Sequence, residues 1–206
     1  EVTDGVTGRI YRVVPETVRD KGIRPANLSS IKLVDLLACG DAWLEEQARN
    51  ALRSRFDLGA LGAEKAAVRD SLEKKATSRD AEGRTRLTAI WALLVTGGVP
   101  AGVLDNAVND PDEAVRSWGA RLGLASRAAR WVARVKEGEP SAKTRLAIIS
   151  ASGQLPATDR MDLLEPLARG MADTADPMIP LLLWYQLEPV LADSAKARDK
   201  LLSGPC

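Results

Sequence analysis

Arg84-Thr-Arg-Leu-Thr-Ala-Ile-Trp-Ala-Leu-Leu-Val-Thr-Gly-Gly98 and, after a short helical link, Asp110-Pro-Asp-Glu-Ala-Val-Arg-Ser-Trp-Gly-Ala-Arg-Leu-Gly-Leu124 decide the fold. In the first stretch Leu87, Ile90, Trp91 and Leu94 fall at i, i+3, i+4 and i+7. In the second, Val115, Trp118, Gly119 and Leu122 repeat that spacing. Each helix therefore carries one apolar stripe, and neither can bury its stripe alone. Similar stripes recur along the chain, which predicts stacked helix pairs, each supplying a wall of its neighbour's core.

Working outward, Ser30 can cap a helix to about Ala38, with Gly40 ending it and Asp41 capping the next, Ala42 to about Arg55. Ala63 to Ala76 is a more polar helix. Arg84 to Val95 and Ala101 to Val108 form the central pair. Asp110-Pro111-Asp112-Glu113 then reads as a capping Asp110, proline at the first helical position and Glu113 at the third, as in a capping box. On that reading Asp110→Asn is nearly silent and Asp110→Ala is not. The helix to about Ala125 has Arg127 to Lys136 as its partner. Pro140 and Pro177 precede helices Ser141 to Ser152 and Met178 to Leu191, paired with Asp159 to Met171 and Ala192 to Leu202. Pro166 and Pro189, inside these runs, are expected to kink or end them. Aligning Leu87, Val115, Leu146 and Leu181 gives a drifting period, so degenerate HEAT-type pairs fit better than a strict repeat.

Ahead of the helices, Gly8 to Val14 alternates polar and apolar residues and reads as one extended strand-like segment, followed by an aperiodic linker from Val18 to Asn27. The expected architecture is all-α: a right-handed α-α superhelix (a HEAT-like repeat solenoid) over residues 29–206, with a short extended N-terminal arm and linker over residues 1–28.

Composition narrows the function classes. The 206 residues are 45% hydrophobic and 28% charged, enough to bury about 70% of the unfolded surface. Lys and Arg number 29 against 28 for Asp and Glu, so no global field attracts nucleic acid or an anionic membrane. Histidine is absent, which removes the commonest metal ligand and the usual general base at neutral pH. Cys39 and Cys206 belong to no CxxC, so no zinc knuckle or c-type haem attachment can be written. A disulfide between them is disfavoured, since the second ends the chain. No apolar run is long enough to span a bilayer.

Three constellations invite a functional reading. Trp43, Trp91, Trp118, Trp131 and Trp184 could line a ligand surface, but the placement of four of them near one phase of successive first helices favours inter-repeat packing, and Trp118 is expected in the core. Asp105, Asp110, Asp112 and Glu113 lack EF-hand spacing, and three of the four sit where a helix N-terminus favours negative charge. Arg84, Arg86, Arg116, Arg121 and Arg145 recur near helix starts and form the candidate interaction surface, a basic stripe diluted by neighbouring acids into salt-bridged surface. The glycine pairs Gly59/Gly62 and Gly97-Gly98 lack the lysine of a phosphate loop.

Four stretches carry a resemblance: Gly8-Arg-Ile-Tyr-Arg-Val13, Leu87-Thr-Ala-Ile-Trp-Ala-Leu-Leu-Val-Thr-Gly-Gly98, Asp112-Glu-Ala-Val-Arg-Ser-Trp-Gly-Ala-Arg-Leu122 and Leu181-Leu-Leu-Trp-Tyr-Gln-Leu-Glu-Pro189. Together they resemble the HEAT segment of large PVC-type haem-binding proteins, also called membrane-bound dehydrogenases. In that family a sugar-dehydrogenase-like β-propeller precedes the helical repeats and a c-type cytochrome domain with Cys-x-x-Cys-His follows. The resemblance implies that Gly8 to Val14 ends the propeller and that the parent protein is extracytoplasmic, in the periplasm. Because this chain has no His and no CxxCH, no haem-binding or catalytic residue carries over to it.

The functional expectation is thus a non-catalytic scaffold or protein-interaction module with no cofactor of its own. Its partners are flanking domains of its own chain or a second protein. The alternative is a nucleic-acid-binding HEAT-like protein of the DNA glycosylase sort, with nucleic acid the less favoured partner.

Overall fold

A computed structural model describes residues 22–170 and 173–203. The strand-like reading of Gly8 to Val14 lies outside the described residues, as does Cys206; Cys39 is an exposed free thiol. Among the described residues the chain is all-α, eleven α-helices without a strand. They are α1 (Ser30–Leu36), α2 (Ala42–Asp57), α3 (Glu64–Thr77), α4 (Gly83–Val95), α5 (Ala101–Ala107), α6 (Glu113–Gly123), α7 (Ala128–Glu137), α8 (Ala142–Ser152), α9 (Ala157–Arg169), α10 (Ile179–Asp193) and α11 (Ala195–Leu202).

Two rows emerge from the packing. α2, α4, α6, α8 and α10 lie side by side, each against the next, while α1 packs on α3, α3 on α5, and α7 on α9 in the second row. Across the rows α1 meets α2, α3 meets α4, α5 meets α6, α8 meets α9 and α10 meets α11. Between them lie two apolar clusters, one centred on Leu33, Leu52, Leu72, Ile90 and Leu93 and the other on Trp131, Ile148, Ile149, Leu163 and Leu164. The bridge between the clusters is α5 and α6: Ala107 and Val115 belong to the first, Val108 and Ala120 to the second. The rows approach closely where glycine removes a side chain. A Cβ on Gly119 would stand 2.7 Å from that of Ala107 in α5, so the α5–α6 contact requires glycine there.

Side-chain caps start several helices. Asp41 accepts from the amides of Trp43 and Leu44, Ser141 from Thr144, Ser194 from Ala197, and Asp176 from Met178 and Ile179. One expected cap is corrected. The residue capping α6 is Asp112, accepting from Ala114 at 2.8 Å and Val115 at 3.2 Å, not Asp110. Asp110 lies two residues before that cap and is buried, its carboxylate paired with Arg86 and accepting from the Asp112 amide. Glu113 closes no capping box; its carboxylate accepts from the Ser141 hydroxyl and Lys143 of the next helix pair.

Pro166 and Pro189 do not end their helices: α9 runs on to Arg169 and α10 to Asp193. Each proline removes one N–H from the helix ladder, a local loss that the residues beyond it do not share. The tryptophans do not share one environment either. Trp131 is fully buried, Trp91 and Trp118 are partly buried, and Trp43 and Trp184 are exposed. Helix phase explains this: Trp43 is the second residue of α2 and Trp184 the sixth of α10, so they are not equivalent positions.

Candidate functional site

The candidate arginines divide by helix phase. Counting from each N-cap, Glu82, Asp112 and Ser141, the fourth residue is Arg86, Arg116 and Arg145. At that position the side chain points along the loops that join the helix pairs. Arg86 forks onto Asp110 at 2.8 and 2.7 Å, Arg116 onto Glu139 at 3.0 and 2.7 Å, and Arg145 onto Asp173. Each guanidinium also donates to the carbonyls of its own loop: Arg86 to Ala81, Arg116 to Asp110 and Pro111, and Arg145 to Glu139. The carboxylates in turn order the next helix start, Asp110 accepting from the Asp112 amide and Glu139 from the Ser141 amide, both at 2.9 Å.

The result is a chain of arginine staples, each holding the loop before its own helix to the loop before the next. These three side chains are buried, so they are not surface residues as the sequence reading had them. Burial pushes the Glu139 carboxyl up, but hydrogen bonds from Arg116, the Ser141 amide and Arg134 outweigh it and hold the group below its ordinary range. Hydrogen bonding to Asp173 moves Arg145 the other way, upward.

The ladder has two ends. α2 carries Glu45 at the fourth position, and the pair is reversed there: Arg84 donates to Glu45 at 2.7 Å. Asp80, in the loop before α4 where later loops carry Asp110 and Glu139, makes no ion pair among the described residues. At the other end, the fourth residue after the capping Asp176 is Pro180, which offers no donor.

The remaining candidate, Arg121, lies on the outer face of the α2 row. Its guanidinium carbon sits 5.4 Å from the Trp118 ring centroid; Trp118 meets Trp91 edge to face at 5.4 Å and 75°; and Arg49 of α2 sits 5.5 Å over Trp91. Three successive row helices thus present one stack, Arg49–Trp91–Trp118–Arg121. Beside it runs an open groove of about 520 Å³ lined by Glu46, Arg49, Leu87, Thr88, Trp91 and Asp112. Trp91, Trp118 and Arg121 stand out in the sequence, whereas Arg49 does not, since it lies far from the others along the chain. Nor do the carboxylate partners stand out as such. Their signal was available: Asp110 precedes Arg116, and Glu139 precedes Arg145, by the same six residues.

Among the described residues no helix is long and apolar enough to cross a membrane, and no group of three or more His, Cys, Asp or Glu side chains is arranged to hold a metal ion. No family model matches the chain, and neither the curated proteins nor the solved structures yield a match.

Proposed function

We propose that the chain is a non-catalytic HEAT-like repeat module, a right-handed α-α superhelix that spaces and orients neighbouring domains or docks a protein partner. The observation that carries this reading is the ladder of the buried pairs Arg86–Asp110 and Arg116–Glu139 and the partly buried pair Arg145–Asp173. A staple at each of the α5–α6, α7–α8 and α9–α10 loops resists sliding and splaying of successive helix pairs, the property a spacer needs. By the resemblance, the domains held apart would be an oxidoreductase propeller and a c-type cytochrome of one longer protein. The flanking reading frame tests that context directly, through the presence or absence of a Cys-x-x-Cys-His motif. Haem added to the isolated chain is expected to give no stoichiometric Soret band.

Rigidity is the testable core of the proposal. With Cys39 and Cys206 replaced by Ser, spin labels at Asn50→Cys in α2 and Ala192→Cys in α10 should give one narrow distance distribution. A broad one would sink the spacer reading. The nucleic-acid alternative draws on Arg49 and Arg121, which face outward on aromatic rings as in nucleic-acid-binding surfaces. Fluorescence anisotropy with a labelled duplex at physiological salt separates the readings; the scaffold proposal expects no saturable binding.

A further inference from the structure

We infer that the Arg49–Trp91–Trp118–Arg121 stack is a docking site for a peptide segment of a protein partner that carries two carboxylates around an apolar side chain. The inference rests on the interaction-module reading above and names its surface and the chemistry of its ligand. The first support is what these two arginines lack. Every other arginine of the described residues is engaged. Arg86, Arg116 and Arg145 fork onto carboxylates, Arg55, Arg69, Arg160 and Arg198 close helix ends through backbone carbonyls, and Arg53, Arg84, Arg127, Arg130, Arg134 and Arg169 have acidic partners. Arg79 bonds carbonyls as well, and Arg24 has a partner of its own. Arg49 and Arg121 alone make neither an ion pair nor a hydrogen bond among the described residues, though each is fixed over an indole face. A guanidinium that lies near a ring face and has no hydrogen-bond partner keeps its N–H groups available for two-point recognition of a carboxylate.

The second support is the groove at the Arg49–Trp91 end of the stack. Trp91 and Leu87 give the groove an apolar wall, and its volume of about 520 Å³ is in the range that takes one or two side chains. The third is the surrounding charge, which decides the class of ligand. Glu46 and Asp112 share the groove with Arg49, and Glu45 already neutralises Arg84. A nucleic-acid strand, with a phosphate at every nucleotide, would meet these acids along with the arginines. A peptide needs to place only two carboxylates, one on each fork, and can seat a leucine-like side chain on Trp91.

An arrayed set of nine-residue peptides tests this on the full chain. Each is alanine-based with a central Leu and two Glu at spacings from one to six residues, matched by a twin with Gln in place of Glu. Binding is followed by calorimetry and tryptophan fluorescence. At least one spacing should bind saturably, and its Gln twin about tenfold more weakly or not at all. Arg49→Gln and Arg121→Gln should each weaken that peptide by about tenfold, while Arg53→Gln, on an exposed face of α2, should leave it unchanged. Both arginines are outside the core, and thermal melts of each variant confirm that the fold is retained. Failure of every spacing, equal binding of the Gln twin, or indifference to both substitutions overturns the inference. So does a twelve-nucleotide single strand that binds more tightly than any peptide. A narrow spin-label distribution with no peptide binding would overturn this site and leave the spacer reading intact; a broad distribution with selective peptide binding would do the reverse.

Discussion

Arg116 and Glu139 show what a single staple contributes. Both side chains are nearly inaccessible, at 6% and 0%, so each charge depends on the other in place of water. Arg116→Ala leaves a buried carboxylate short of its main partner and is expected to cost about 3–5 kcal/mol in denaturant melts. Arg53→Ala, which removes an exposed i, i+4 pair with Asp57, should leave the midpoint nearly unchanged. The same pair sets an acid limit. Because the folded protein holds Glu139 below its ordinary value of about 4.5, its ionisation stabilises the fold above that value, and the contribution is lost as pH falls through the lower folded value. Melting temperature should drop below about pH 4.5, and Glu139→Gln should flatten that part of the profile while lowering stability at neutral pH. The corrected cap yields a further pair of outcomes. Asp112→Asn should be nearly silent and Asp112→Ala should cost about 1 kcal/mol, whereas Asp110→Asn, isosteric but uncharged, strands the buried Arg86 and should be clearly destabilising.

At the scale of the helix, phase decides which tryptophan matters. α7 buries Trp131 completely, so Trp131→Ala is expected to cost about 3–5 kcal/mol, and Trp118→Ala less, since its ring is partly exposed and its neighbours are Trp91 and Arg121. Trp184 stands on α10 at the position where α6 carries the buried Ala120 and α8 the buried Ile149, yet it is 52% exposed, with Leu181 and Tyr185 beside it. α10 is the last helix of its row among the described residues, so no neighbour covers that face. Trp184→Ser should therefore change stability by less than about 0.5 kcal/mol. The α5–α6 crossing is the opposite case. Gly119→Ala drives a methyl group to 2.7 Å from Ala107 and is expected to cost about 1–3 kcal/mol, through strain rather than lost burial.

Across the whole molecule, nearest-neighbour packing predicts local rather than global loss when one core cluster is damaged. Leu72→Ala should raise amide hydrogen exchange in α1 to α4 more than in α8 to α10, and Ile148→Ala should do the reverse, because only α5 and α6 contribute to both clusters. Equal acceleration everywhere would mean a single cooperative unit. The sequence by itself determined that the described residues are helical, nearly where each helix runs, and that their stripes require neighbours, since apolar period and glycine or proline breaks are local properties that survive without tertiary context. It misassigned the repeat register. Apolar spacing puts Val115 level with Leu87, Leu146 and Leu181, but counting from the caps places Ser117 there. Hydrophobicity alone cannot distinguish two buried positions of one helix. Only the tertiary structure decided that Arg86, Arg116 and Arg145 turn inward while Arg49 and Arg121 stay outside. An arginine's fate depends on whether a carboxylate from a loop more than twenty residues away reaches it, and that meeting exists only once successive helix pairs have stacked.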